Sequence, residues 1–186
     1  MELTTVHEVM VPLDELPTVR TDATLAEAMA VLRSAQQRTS GRLPYRLVLV
    51  VDERGSVVGK LGHQGFLRAL LESAPRSGPD AEAFARAWVD PDLLSTMTGH
   101  LRFFQETFSA CCNRAHWVRI GDVMVPVTDS VEEHAPLATG IRALLEWQQL
   151  SVFVRRGDEV VGLLRQADVF DWIADTVGDP ARGSGG

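Results

Sequence analysis

Cysteine, positive charge and long apolar runs are what this 186-residue chain has little of. Its two cysteines, Cys111 and Cys112, are adjacent. That spacing suits neither an ordinary disulfide nor a zinc site, and buried, reduced thiols are expected. With 18 Lys and Arg against 25 Asp and Glu, the net charge is -7. Such a balance works against general attraction to nucleic-acid phosphates or anionic membranes, so neither is an expected partner. The amino end has no basic stretch followed by an apolar run, and no run approaches the roughly 18 apolar residues of a membrane span. A cytoplasmic location is the default expectation. The five histidines form no pair at helical ligand spacing with a carboxylate between them, so no metal is assigned. No Ser-His-Asp order, cysteine-histidine pairing or conspicuous carboxylate pair suggests catalysis.

What is present is a globular balance, 45% hydrophobic and 23% charged, at a length suited to one domain or two small joined units. An internal repeat favours two units. Val57-Val58-Gly59-Lys60-Leu61-Gly62-His63 and Val160-Val161-Gly162-Leu163-Leu164-Arg165-Gln166 share one grammar, a turn and a buried strand leading into a helix. Upstream of each lies a methionine segment, Glu8-Val9-Met10-Val11-Pro12 and Asp122-Val123-Met124-Val125-Pro126. The methionines are 114 residues apart and the glycines Gly59 and Gly162 only 103, so the first copy carries 11 extra residues, placed in the polar stretch Ser34 to Pro44.

Thr24-Leu25-Ala26-Glu27 has the form of a capping box, and Leu25, Ala28, Met29 and Leu32 then share a helical face. The twin helix starts near Pro136, with Leu137, Ile141, Leu144 and Leu145 on one face. A short strand is expected around Leu16 to Val19. Arg46 to Val51, the turn Asp52-Glu53-Arg54-Gly55 and Val57-Val58 read as a hairpin, repeated by Ser151 to Val154, Arg155 to Glu159 and Val160 to Leu164. In this reading each methionine segment leads into the repeat that follows it. Glu132-Glu133-His134 reads as a solvated approach to a helix, Arg155-Arg156 as an exposed hairpin edge, and Trp88, Trp117, Trp147 and Trp172 as core anchors, Trp147 being near enough to the second hairpin to line a cleft.

Between the copies, Glu72 to Asp80 is a Pro-, Ser- and Gly-rich linker. After it, Asp90-Pro91 supplies a cap, and Leu94, Met97, Leu101, Phe104, Phe108 and Cys111 recur at spacings of three and four. This seam packs either on the chain's own repeats or on its counterpart in a homodimer.

The order methionine-proline segment, helix, strand, turn, strand ending in glycine and Asp-containing helix, occurring twice, resembles the CBS domain, and a pair of them resembles a Bateman module. The resemblance implies an α/β (α+β) fold, a tandem pair of β-α-β-β-α domains with an inserted helical segment. It implies a first domain over residues 1–71, a helical insertion over 72–118, a second domain over 119–178 and a flexible tail over 179–186. No fragment of an enzyme that often carries such pairs is attached, so the resemblance is to a standalone pair. It implies a regulatory module, not an enzyme, that requires no cofactor and binds AMP, ADP, ATP or S-adenosylmethionine in the cleft between paired domains, signalling to a protein partner as a homodimer. The implied ligand residues are Leu164, Arg165, Gln166 and Asp168. A carboxylate at Asp168 suits the two neighbouring hydroxyls of ribose. Arg165 stands where the family usually has Ser or Thr, and either pairs with phosphate or fills the cleft and bridges to a carboxylate. In the first copy Gly62 and Gly65 stand in the hydroxyl and Asp positions, so that site reads as degenerate. A ligand-free interaction scaffold and, further off, a small enzyme are the rivals.

Overall fold

In the computed structural model, residues 4–38, 45–72, 109 and 112–178 are described. The seam from Leu94 to Cys111, most of the linker and the tail lie outside the described residues. The chain divides into two compact units, each with a four-stranded sheet and helices packed on it. The architecture is mixed α+β, as expected.

The first unit is built from residues 18–38, 45–72 and 112–125. Strand β2 (Thr18–Arg20) runs through helix α1 (Leu25–Arg38) to β3 (Leu47–Val51), parallel to it, and β3 turns back into β4 (Val57–Gly62) before α2 (His63–Glu72). The capping box forms: Thr24 N–H donates to Glu27 Oε2 at 2.7 Å and Glu27 N–H to Thr24 Oγ1 at 3.2 Å. The hairpin turn is held by Asp52 Oδ1, which accepts from the N–H groups of Arg54 and Ser56, with Gly55 at φ 82°. Leu25, Ala28, Leu32, Val48, Val50, Leu61 and Phe66 form the core. Met29, expected on the same helix face, is 43% exposed.

The second unit repeats this with residues 4–17 and 126–178. Strand β6 (Ser130–Glu132) leads through α4 (Leu137–Glu146) to the parallel strand β7 (Ser151–Arg156), then to β8 (Glu159–Arg165) and α5 (Gln166–Gly178). Both hairpins carry an irregularity at matching places, between Val50 and Val51 and between Val154 and Arg155. The core holds Leu137, Leu144, Val152, Val154, Leu164 and Val169. Leu145 departs from the expected face, at 67% exposure, since it follows buried Leu144 by about 100° of helical turn.

The methionine segments cross over. Strand β1 (Val11–Pro12) pairs antiparallel with β8 of the second repeat, while β5 (Val125–Pro126), reached through the short helix α3 (Ile120–Val123), sits at the edge of the sheet beside β4 of the first. The sheet orders are therefore β1-β8-β7-β6 and β2-β3-β4-β5. Close backbone approach explains the fit. A methyl group at Gly162 would lie 2.6 Å from the Val11 carbonyl oxygen and 3.0 Å from Met10 Sδ, and one at Gly59 would lie 2.7 Å from both the Val125 carbonyl oxygen and Met124 Sδ. The helix starts are tied in the same crossed way, Leu137 N–H donating to Thr4 O and Leu25 N–H to Val118 O, each at 2.8 Å.

Several single-residue expectations fail. Trp117 is 82% and Trp147 37% exposed, so neither is a core anchor, while Trp172 is partly buried against the second core. Cys112 is a free, exposed thiol and not a buried one.

Candidate functional site

The residues singled out around Asp168 lie where β8 passes into α5. Leu164 is fully buried in the second core, so its side chain faces away from any ligand and only its backbone could reach one. The next side chain points to the other sheet face. Arg165 is 7% exposed, and its guanidinium forks onto the Asp168 carboxylate, Nε donating to Oδ2 and Nη2 to Oδ1, both at 2.5 Å. The Asp168 side chain is 14% exposed. Of the two readings open for Arg165, the carboxylate bridge is the contact observed. Gln166 is exposed and spends its amide Nε2 on the Gln149 carbonyl oxygen at 3.1 Å, while its backbone N–H donates to Leu150 O. These bonds fix the strand-to-helix corner. Asp168 falls in the first turn of α5, where a carboxylate is favoured by the helix dipole.

A carboxylate offers about four lone-pair sites. The guanidinium takes one on each oxygen, which leaves acceptor capacity on both for vicinal hydroxyls. Asp168 is thus a partly accessible acceptor pair locked in one orientation.

The matching corner of the first unit has different chemistry. Gly62 and Gly65 contribute no side chain, and a methyl at Gly65 would meet Leu61 Cδ1 at 2.6 Å. His63, in the place of Gln166, lies with Nε2 3.3 Å from Gln36 Nε2. Lys60 matches Leu163 of the second repeat and is 8% exposed, and burial pulls its pKa down to about 8. Sequence reasoning passed over it, although superposing the two copies exposes a lysine where the twin has leucine.

A second polar cluster was also missed. Glu133, expected in solvent, is 1% exposed and is gripped bidentately by Arg156, with His7 Nδ1 at 3.4 Å and His134 Nε2 at 3.3 Å. The Arg156 hydrogen bonds hold the Glu133 carboxyl below the usual carboxylate range. Because His7 N–H also donates to Glu133 O, this cluster pins the amino-terminal segment to the second unit. It is structural. Among the described residues no group of three or more His, Cys, Asp or Glu is placed to hold a metal, and no helix is long and apolar enough to cross a membrane.

Two sheets of identical order, each fed by a strand from the other repeat, define a tandem pair of α+β units. The CBS domain family profile matches residues 6–72, and the fold of the whole is that of CBS-pair proteins. The match falls on the first repeat, whose motif is the more degenerate of the two. Among solved structures, the chain is similar to CBSX2 in complex with AMP, at 21% identity with 92% of this chain and 97% of that one covered and a TM-score of 0.59. It is similar also to the CBS-pair protein CBSX2 from Arabidopsis thaliana, at 16% identity, 96% and 99% coverage and a TM-score of 0.59. AcuB from Vibrio cholerae, a putative acetoin utilization protein, gives 16% identity, 95% coverage of both chains and a TM-score of 0.59. Comparison by sequence with curated proteins gives no match.

Proposed function

We propose that the chain is a regulatory module that binds one adenosine-containing ligand at the Asp168 corner of the second unit and passes occupancy to a protein partner. The observation that carries this is the Asp168 carboxylate, oriented by Arg165 with acceptor capacity remaining for the 2′ and 3′ hydroxyls of ribose. Orientation in advance lowers the entropy lost on binding. The complex of CBSX2 with AMP supports the ligand class by likeness of fold. Gly62 and Gly65 give no side-chain anchor in the first unit, so the stoichiometry is one ligand per chain.

Calorimetry with AMP, ADP, ATP and S-adenosylmethionine tests this. Ligand at 100 times its Kd stabilises the fold by about 2.7 kcal/mol, a melting shift of several degrees at roughly 2–4 °C per kcal/mol. Asp168→Ala loses charge-assisted hydrogen bonds worth about 1.5–3 kcal/mol each, so affinity falls at least about tenfold. Arg165→Ala sorts its role: weakening that grows with phosphate number means contact with phosphate, whereas equal weakening of all four ligands means that it orients Asp168. Tighter binding means that the Arg165–Asp168 pair had closed the site. That same pair favours the second reading, a ligand-free interaction scaffold, and absence of binding by all four compounds, with none co-purifying, selects it.

A further inference from the structure

Helices α1 and α2 of the first unit enclose an open groove of about 650 Å³, a size within the range of roughly 300–1,000 Å³ usual for small-molecule sites. Its floor is Leu32 and Phe66, both 4% exposed, and its rim is Met29 and Leu67, at 43% and 63%. The polar lining gathers at one end. There Gln36 Nε2 donates to Tyr45 O at 2.6 Å and lies 3.3 Å from His63 Nε2. An amide nitrogen only donates, so His63 Nε2 accepts and the ring proton sits on Nδ1. Arg33 lines the groove about one helical turn before Gln36 and makes no hydrogen bond or ion pair among the described residues. No carboxylate lines the groove among the described residues either. Met29 and Leu70 each stand seven residues, about 10 Å of helix, from the Gln36–His63 contact, and neither is charged. The basic end is peculiar to this unit. Counted from Leu25 and Leu137, which open α1 and α4, Arg33 matches Leu145, and His63 matches Gln166.

We propose that the α1–α2 groove binds a free single-chain carboxylate, an anionic amphiphile of the medium-chain fatty-acid class. A guanidinium fits a carboxylate through two parallel hydrogen bonds, and Arg33 has its donors unspent. His63 Nδ1–H adds a further donor at the same end, and the tail lies over Leu32 and Phe66 between Met29 and Leu67. Charge selects this occupant. An anionic head meets donors alone, whereas a cationic head meets Arg33 with no carboxylate to offset it. An acidic helix from a partner protein would spread its charges along its length, and the groove is basic at one end only. The site belongs to the first unit and is independent of the nucleotide reading, which concerns the second.

The test is calorimetry on the full chain with hexanoate, octanoate and decanoate, and with decanol and decyltrimethylammonium as head-group controls, all below the concentrations at which they form micelles. Affinity rises about fourfold for each methylene added within the groove. Decanoate binds at least about tenfold more tightly than decanol, the worth of a charge-assisted hydrogen bond, and decyltrimethylammonium does not bind. Arg33→Gln abolishes the preference for decanoate and leaves decanol unchanged. Leu67→Glu, which sets a carboxylate on the rim, weakens decanoate most. Both positions are exposed, so the fold survives; circular dichroism melts check this, and Met29→Glu replaces Leu67→Glu should that variant unfold. Asp168→Ala leaves decanoate binding as it was, which separates this site from the nucleotide corner. Absence of decanoate binding overturns the proposal, as when another surface already covers the groove. So does equal affinity for decanoate and decanol, the mark of unselective partition, and so does decanoate binding that Arg33→Gln leaves intact, which would put the amphiphile elsewhere on the chain.

Discussion

At the scale of single residues, the two repeats diverge most at the pair Lys60 and Leu163, which occupy the same place in matching strands. Lys60 is the chain's only lysine and is buried. Its pKa falls from 10.5 to about 8 because burial disfavours the charged form. Between these values the unfolded chain holds a proton that the folded chain has shed, so stability rises as pH climbs from about 8 to 10.5, and below 8 the full penalty applies. Lys60→Met removes the charge and keeps the stem. At pH 7 it stabilises by about 1–3.5 kcal/mol, the upper figure being the pKa displacement at about 1.4 kcal/mol per unit and the lower one allowing for interactions that Lys60 makes in the folded chain. Urea midpoints from pH 7 to 10 read both effects, and the upward slope above pH 8 disappears in the variant. A variant no more stable than the wild type at pH 7 would show that Lys60's own contacts outweigh its desolvation.

At the scale of elements, the glycines divide into those facing backbone and those facing side chains. Gly162→Ala puts a methyl against the Val11 carbonyl oxygen, which cannot move without disturbing β1, and costs roughly 1–3 kcal/mol as overpacking. Gly65→Ala meets only the end of Leu61, a side chain able to shift, and gains up to about 1 kcal/mol of helix propensity, so it is far milder. Urea titration of the pair checks the contrast; equal losses would mean that β1 yields to the methyl. Much of this level was readable beforehand. The capping box at Thr24 and Glu27, both hairpins and both helix positions follow from local chemistry, and the structure has them within a residue or two. What local chemistry could not say is which sheet a methionine segment joins, since Met10 and Met124 precede their own repeats in sequence with identical apolar character. Burial of Glu133 was equally hidden, because its partners His7 and Arg156 are distant in sequence. Of the candidate corner, the residues were legible but the Arg165–Asp168 fork was one of two open readings.

At the scale of the molecule, the crossover means that neither repeat owns its sheet. The second unit takes β1 from the amino end, together with Val6, Val9 and Met10 in its core and Val11 in its sheet, all 8% exposed or less. At roughly 1.5–3 kcal/mol for each buried side chain of this size, those four contribute on the order of 6–12 kcal/mol. That sum is comparable to the total stability of an ordinary domain, about 5–15 kcal/mol. A fragment of residues 119–178, the second repeat as sequence order delimits it, is therefore predicted to lack cooperative unfolding and dispersed amide resonances when alone. A peptide of residues 1–17 added in trans supplies β1, the Val6 and Met10 side chains and the His7 contact with Glu133, and restores both. Gly162→Ala in the fragment weakens that rescue, since the methyl occupies the path of the Val11 carbonyl. A fragment that melts cooperatively without the peptide would show that the second repeat folds without its borrowed strand, and that the crossed strands join two self-sufficient units instead of completing them.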